Sequence, residues 1–142
     1  PSQWDTVVSC DPATLLAPFP TTGHSALLLD DLPSWVTHQL SDLTDWETCT
    51  PDQHAQLLDR ANRFATDIAA CAAQGIDIVV VTLEAGWGVS PATTAGNIFR
   101  DVLGDVNQLW AAAADSVTLV VAGLPLSLKP SATPLHTMSG GS

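Results

Sequence analysis

Two acidic positions follow apolar runs in this chain, and both could do phosphate or metal chemistry. The run IDIVVVTL at residues 76–83 ends in Glu84, and the run SALLL at residues 25–29 ends in Asp30 and Asp31. In open parallel sheets, ligands bind at the carboxyl ends of the strands. An acid at that position can hold Mg²⁺ against nucleotide phosphates. We therefore predict a site at the sheet edge where these strands end.

A loop rich in glycine follows Glu84, with Gly86 and Gly88 on either side of Trp87. The glycines could let the backbone approach a ligand closely, or they could simply turn the chain between strand and helix. Trp87 could stack on a ring or plug the end of the sheet. The two aspartates at residues 30–31 could likewise only cap a turn before Pro33. Each of these residues, taken singly, is more often structural than functional. A site is predicted because they lie together with Glu84 at one edge of the sheet.

Other catalytic and metal-binding motifs do not occur in these residues. A phosphate-binding Walker A loop needs a lysine, and the one lysine here is Lys129, followed by proline. No G-x-S-x-G pattern marks a serine nucleophile. The histidines and cysteines show no spacing typical of a metal site or a CxxC pair: His24, His38, His54, His136, Cys10, Cys49 and Cys71. We expect unpaired thiols in a reducing compartment such as the cytoplasm.

Charge excludes two classes of partner. The 142 residues carry a formal net charge of -11, with 15 acids against four cations, and 46% of the residues are hydrophobic. A nucleic-acid backbone or an anionic membrane surface would be repelled. No apolar run approaches the length of about 20 residues that a spanning helix needs. The sequence starts at Pro1 rather than Met, which suggests a processed product or a fragment.

The order of elements predicts an α/β fold with a mostly parallel sheet flanked by helices. Strands are expected at residues 25–31, 76–83 and 116–128, the second of them buried on both faces because its apolar residues are continuous. Helices are expected at residues 33–43, 50–75 and 94–114, and Thr50, Pro51 and Gln53 form a capping-box start. Gly123 would end the third strand at the same edge as Asp30 and Glu84.

Longer motifs resemble one enzyme family. Residues 79–129 contain VTLEAGWGVSP, FRDVLGDVNQ and AAAADSVTLVVAG. These are similar to V-T-N-E-V-G-x-G-I-V-P, F-R-D-x-x-G-x-V-N-Q and A-A-A-A-D-x-V-x-L-V-V-x-G of the adenosylcobinamide kinase / adenosylcobinamide-phosphate guanylyltransferase family of cobalamin biosynthesis. PSQWDT at residues 1–6 and ALLLDDLPSWVTHQL at residues 26–40 resemble its R-P-x-x-W-x-T and L-L-[DE]-C-[LI]-T-x-x-V-T-N-L-L segments.

The resemblance implies a RecA-like P-loop fold and an oligomeric two-step enzyme acting on a corrinoid, with Mg²⁺ and GTP or ATP. It phosphorylates adenosylcobinamide and then transfers GMP through a histidine–GMP intermediate to give adenosylcobinamide-GDP. Asp30 matches the acidic Walker B position, a Mg²⁺ ligand, and Glu84, Gly86, Gly88 and Pro91 match the substrate or nucleotide loop. The family's helix motif is matched by Arg100, Asp101, Gly104, Asn107 and Gln108. Asn107 and Gln108 could contact a ligand or, alternatively, pack between subunits.

Departures from the family pattern predict that this chain alone is inactive. The family's first strand with its P-loop, and the guanylylated histidine, have no counterpart in these residues, so strand edges would lack partners. Leu83 stands where the family has asparagine, and Asp105 where it has arginine. We predict a domain at residues 1–129, a flexible Pro/Ser/Gly tail at residues 130–142, and no kinase or guanylyltransferase turnover by this chain alone. The alternative is a degenerate, non-catalytic domain of the same pathway that binds a corrinoid or a partner.

Overall fold

The computed structural model describes residues 5–9, 11–16, 23 and 25–130. Its helices are α1 (Pro12–Leu16), α2 (Leu32–Leu43), α3 (Pro51–Ala72) and α4 (Thr94–Ala113), with a short 3-10 turn at Ala85–Trp87. Its strands are β1 (Ala26–Leu29), β2 (Asp77–Val80), β3 (Val117–Val121) and β4 (Leu124–Lys129). Cys10, His24, His136 and almost all of the expected tail lie outside the described residues. No helix in the described ranges is long and apolar enough to cross a membrane.

The starts of the long helices follow from their capping residues. The Thr50 hydroxyl accepts a hydrogen bond from the Gln53 N–H at 3.2 Å, and the Gln53 side-chain oxygen accepts one from the Thr50 N–H at 2.9 Å. This reciprocal pair confirms the capping box predicted for α3. Thr93 caps α4 with a single bond, because its hydroxyl accepts from the Gly96 N–H at 3.1 Å and glycine has no side chain to return a second one. The predicted helices are therefore confirmed, with α3 ending at Ala72 and Gly75 in the left-handed region at φ 86°.

A helical layer forms the core. Phe64 of α3, 1% exposed, lies between Trp35 of α2 and Trp110 of α4. Its ring centroid is 5.7 Å from that of Trp35 and 5.1 Å from that of Trp110, the second pair edge-to-face. Such aromatic pairs stabilise beyond the apolar area they bury. The other buried hydrophobic residues come from the same three helices: Leu32, Val36, Leu40, Leu57, Ala61, Ala65, Ile68, Val102, Leu103 and Val106.

Two strands pair in parallel above this layer. β1 and β2 run in register from Ala26 opposite Asp77 to Leu29 opposite Val80. Leu27 and Ile78 point toward the helical core, whereas Leu28 is 48% and Val79 is 59% exposed on the opposite face. The prediction that the second strand is buried on both faces is therefore wrong for the described residues. The cause is that α2, α3 and α4 all contribute to one core, which covers one face of the sheet.

The third strand does not join the parallel sheet. β3 pairs antiparallel with β4, and Ala122 at φ 50° and Gly123 at φ 78° form the turn between them. A two-residue turn with both central residues at positive φ is the usual connection of a tight hairpin. Closing this short loop costs less entropy than pairing with a distant strand. The expectation of a third parallel strand is thus corrected, and Gly123 is a hairpin residue rather than part of the site edge.

Candidate functional site

The site begins where β2 ends. Residues 82–91, which we call the Glu84 loop, leave the sheet, make the 3-10 turn at Ala85–Trp87 and reach the start of α4. One wall of a cavity of about 360 Å³ comes from this loop and the other from α4. We call it the Glu84 cavity, and it is lined by Glu84, Gly86, Arg100, Asp101, Gly104, Asp105 and Gln108. All but Asp105 were named as matches to the family's loop and helix motifs.

The Glu84 loop is attached to α4 at both ends. At its start, the Asn107 side chain bonds to Thr82 and Leu83, which are 25 and 24 residues away in sequence. At its far end, the Asn97 amide donates to the Pro91 carbonyl at 3.1 Å, and the Arg100 guanidinium donates to the Ser90 hydroxyl at 3.3 Å. The loop is therefore held by side chains of a single helix.

Asn107 was expected either to contact a ligand or to pack between subunits. In the described residues both ends of its amide bond to the Glu84 loop, so its side chain holds that loop.

The charges around the Glu84 cavity are mostly negative. Arg100 donates through Nε at 2.9 Å and Nη2 at 2.7 Å to the Asp101 carboxylate, which uses much of its hydrogen-bonding capacity. Asp105 lies 3.0 Å from Nε2 of His54 on α3, and both side chains are partly exposed. The lining holds three carboxylates and one guanidinium, so an anionic ligand would meet net repulsion there. Neutral groups that donate hydrogen bonds suit these acceptors better.

Sequence reasoning did not find the His54–Asp105 pair. In the sequence, Asp105 is a departure from the family pattern, and His54 lacks the spacing of a metal site. The two residues lie on different helices and are 51 positions apart, so no local motif could have connected them. Nε2 of His54 contacts the Asp105 carboxylate, and this contact is an ion pair only when the imidazole carries a proton on both nitrogens.

The two aspartates that follow β1 have different roles. Asp31 is the N-cap of α2, and its Oδ1 accepts a hydrogen bond from the Ser34 N–H at 2.9 Å. The structural alternative is thus confirmed for Asp31. Asp30 is exposed at the carboxyl end of the strand, next to β2, and does not line the Glu84 cavity.

Magnesium would find only a partial ligand set here. Within the described ranges, no three His, Cys, Asp or Glu side chains converge to hold a metal ion. Mg²⁺ is commonly held by one or two carboxylates together with substrate phosphates and water. Asp30 fits that pattern as a single carboxylate but does not make a metal site by itself.

Two further predicted residues of the Glu84 loop lie outside the Glu84 cavity. Gly88 and Pro91 do not line it. A Cβ on Gly88 would meet no atom within 4 Å, so the fold itself does not demand glycine there. Pro91 instead packs against Gly96, where an added Cβ would lie 2.6 Å from the proline Cβ. Pro91 lies before the N-cap Thr93 and packs on the first turn of α4.

A larger cavity lies away from the ends of the strands. Its volume is about 520 Å³, and it lies between α2, α3 and the segment before α1. Arg60 donates to Gln39 at 2.7 Å on its wall, and its hydrophobic base is formed by Trp35 and Phe64. Both rings are almost completely buried, so little aromatic surface is available to a ligand. This cavity holds none of the predicted site residues.

Cysteine chemistry finds no support in the described residues. Cys49 and Cys71 are both free thiols. Burial raises the pKa of the Cys49 thiol above its ordinary value, which lowers the fraction of the reactive thiolate.

Comparison with known proteins identifies the family. The family model described as cobinamide kinase / cobinamide phosphate guanyltransferase matches residues 1–128. The chain belongs to this family. It is 34% identical over 135 residues to the bifunctional adenosylcobalamin biosynthesis protein CobU of Salmonella typhimurium, in a match covering 88% of this chain and 65% of that protein. It is 33% identical over 132 residues to the protein of the same name from Escherichia coli, covering 91% of this chain and 72% of that protein. The chain thus spans about two thirds of the length of these relatives.

Proposed function

We propose that the chain acts in cobalamin biosynthesis, in the assembly of the nucleotide loop. In this role adenosylcobinamide is phosphorylated by a nucleoside triphosphate and then receives GMP from GTP, which gives adenosylcobinamide-GDP. Family membership over residues 1–128 supports the pathway. The names of the two relatives, each a bifunctional adenosylcobalamin biosynthesis protein, support it as well.

The Glu84 cavity, of about 360 Å³, is proposed to bind a polar edge of the corrinoid rather than the triphosphate. The single observation that carries this choice is the charge of its lining, three carboxylates against one guanidinium that is already bonded to Asp101. A triphosphate needs cations or clustered N–H groups, and charge-assisted bonds to arginine are the usual means. Adenosylcobinamide presents primary amides and a hydroxyl, which are neutral donors that Glu84 and Asp105 can accept from.

Asp30 is proposed to act at the nucleotide side of the same sheet edge. Its carboxylate would hold Mg²⁺ together with phosphate oxygens and water, and the ion would neutralise part of the phosphate charge. The described residues around Asp30 add no lysine or arginine for the triphosphate, because Arg60, Arg63 and Lys129 lie elsewhere and Arg100 lines the Glu84 cavity. We therefore propose that these 142 residues by themselves bind corrinoid and do not turn over GTP.

A binding-only role is the second candidate. It is favoured by Asp105, an acid 3.0 Å from Nε2 of His54 that stands at a position where the family carries arginine. In this alternative the chain binds a corrinoid or a partner subunit of the pathway without doing chemistry. We also propose a homo-oligomer in the cytoplasm, which sedimentation velocity and cell fractionation can test.

Calorimetric titration with adenosylcobinamide tests the proposed function, with Glu84→Gln as the site variant and Asp115→Asn as the control. Glu84 lines the cavity, whereas Asp115 is an exposed acid beyond the end of α4. We expect adenosylcobinamide to bind and Glu84→Gln to weaken binding about tenfold, while the control keeps its affinity. Absence of binding by the unaltered chain would refute the corrinoid site. A chromatographic assay for adenosylcobinamide phosphate separates the enzyme from the binding-only alternative.

A further inference from the structure

The Glu84 loop loses its backbone partners as soon as it leaves the sheet. The last sheet-like contacts are at Val81, whose N–H donates to the Leu29 carbonyl at 2.9 Å and whose carbonyl accepts from the Leu32 N–H at 3.0 Å. Beyond it, Thr82 and Leu83 make no backbone–backbone hydrogen bond within the described part of the chain. Something else must therefore fix the direction in which the chain carries Glu84.

Asn107 supplies that fixation with both ends of its amide. Its Oδ1 accepts a hydrogen bond from the Thr82 hydroxyl at 2.6 Å, and its Nδ2 donates to the Leu83 carbonyl at 3.0 Å. The two bonds hold two consecutive residues, immediately before Glu84. An aspartate could not donate to the carbonyl, and a hydrophobic residue could make neither bond.

Asn107 stands on a rigid part of α4. Leu103 and Val106 are fully buried, and Trp110, one turn later, is 8% exposed and packs on Phe64. The backbone that carries the amide is thus fixed by the core, so the amide has a defined position before any ligand arrives. By contrast, Glu84 itself is exposed, and no hydrogen bond in the described structure holds its carboxylate.

We propose that Asn107 is a positioning residue, which sets the Glu84 loop in its ligand-binding conformation ahead of binding. It acts through Thr82 and Leu83 and touches no ligand. The far end of the loop is already held by Asn97 and Arg100, so loss of the Asn107 bonds would free the end that carries Glu84. The predicted effect of Asn107 on ligand affinity rests on the proposed corrinoid site. Its predicted effect on the order of the loop does not depend on that site.

Removing the Asn107 amide should weaken ligand binding because the Glu84 loop becomes less ordered, and not because a contact to the ligand is lost. A ligand that binds a freed loop must restore the two lost constraints, so its affinity should fall about tenfold. The isosteric change Thr82→Val removes one of the two bonds and should reduce affinity about threefold. Thr82→Ser keeps the hydroxyl and should retain the affinity of the unaltered chain.

The experiment combines hydrogen exchange of the loop with titration of adenosylcobinamide. The variants are Asn107→Ala, Thr82→Val, Thr82→Ser and the double variant with both bonds removed. Asn62→Ala is the matched control, because Asn62 is an exposed asparagine of α3 whose side chain has no such bond in the described structure. Exchange of the amides held by the Val81–Leu29 bond and by the 3-10 turn at Ala85–Trp87 should rise about tenfold in Asn107→Ala and stay unchanged in Asn62→Ala. Thr82→Val should add nothing further in the Asn107→Ala background, since both changes break the same connection.

The possible results separate this inference from the proposed function. Unchanged loop exchange in Asn107→Ala overturns the positioning role, whatever is found for binding. If the unaltered chain binds no adenosylcobinamide but loop exchange rises as expected, the proposed function fails and the positioning role stands. If loop exchange rises while affinity is kept, the loop does not need to be ordered in advance and the inference is wrong. Should Asn107→Ala fail to fold, the pair Thr82→Val and Thr82→Ser decides the same question.

Discussion

Gly104 lies in the interior of α4 and lines the Glu84 cavity, so replacing it should change stability and binding in opposite directions. A Cβ added at this position would meet no atom within 4 Å. Glycine in a helix interior costs about 1 kcal/mol relative to alanine, because it loses more backbone freedom on folding. We expect Gly104→Ala to raise the free energy of unfolding by about 0.5–1 kcal/mol. The methyl group would also occupy part of the cavity, so affinity for adenosylcobinamide should fall.

Gly96 provides a matched control in the same helix. There the added Cβ would lie 2.6 Å from the Pro91 Cβ and 3.0 Å from the Thr93 hydroxyl oxygen. Relief of this overlap requires a shift of the capping residue or the loop, and overpacking of this kind costs about 1–3 kcal/mol. That cost should outweigh the gain in helix propensity, so Gly96→Ala should lower stability.

Urea denaturation followed by circular dichroism measures both changes, with the slope checked for constancy. The midpoint should rise for Gly104→Ala and fall for Gly96→Ala. Both variants add one methyl group to a glycine of α4, and they differ in the space around that methyl group. Midpoints that move in the same direction would therefore refute the reasoning.

Three further changes test the helical layer and one exposed turn. Thr50→Ala removes half of the capping box of α3 and should lower the free energy of unfolding by about 1 kcal/mol in chemical denaturation. Phe64→Ala empties the centre of the three-helix core and should cost about 3–5 kcal/mol, measured as loss of cooperative thermal unfolding. The backbone N–H groups of Thr48 and Glu47 hold the pKa of the Asp45 carboxyl below its usual value. The stability it adds should therefore be present above its ordinary pKa and be lost as pH falls through the lowered value. Asp45→Asn should accordingly lower the melting temperature near pH 7 and leave it unchanged in strong acid.

The helices could be predicted because their signals are local. Thr50, Pro51 and Gln53 lie within four residues, and the capping box they predict is the one observed. Helix propensity and apolar spacing act over one or two turns, so a sequence window contains most of what determines these helices.

The sheet was predicted less well because strand pairing depends on distant partners. A continuous apolar run predicts burial on both faces, yet Val79 and Leu28 have helices on one side alone in the described structure. The apolar run after Asp115 predicts one parallel strand with a short extension. Ala122 and Gly123 instead adopt positive φ and fold the chain back into a hairpin, and an alanine at such a position gives no sequence signal for a turn.

The site shows the same division between motifs and long-range contacts. The strand pattern predicts Glu84 and the resemblance adds Arg100, and both residues line one cavity in the structure. The connection of Asn107 to Thr82 and the pair formed by His54 and Asp105 join residues 25 and 51 positions apart. No spacing rule reaches across such separations, so these contacts could be found only in the folded chain.

The central claim is that these residues form a corrinoid-facing site rather than a triphosphate site. Its most direct test is calorimetric titration of the chain with adenosylcobinamide and, separately, with GTP and Mg²⁺ under the same conditions. The negative lining of the Glu84 cavity predicts that adenosylcobinamide binds there. Because the described residues also place no lysine or arginine beside Asp30, GTP with Mg²⁺ should give no heat of binding at concentrations up to about 1 mM, so that its binding free energy is weaker than about 4 kcal/mol. Micromolar binding of GTP, or no binding of adenosylcobinamide, would contradict the claim.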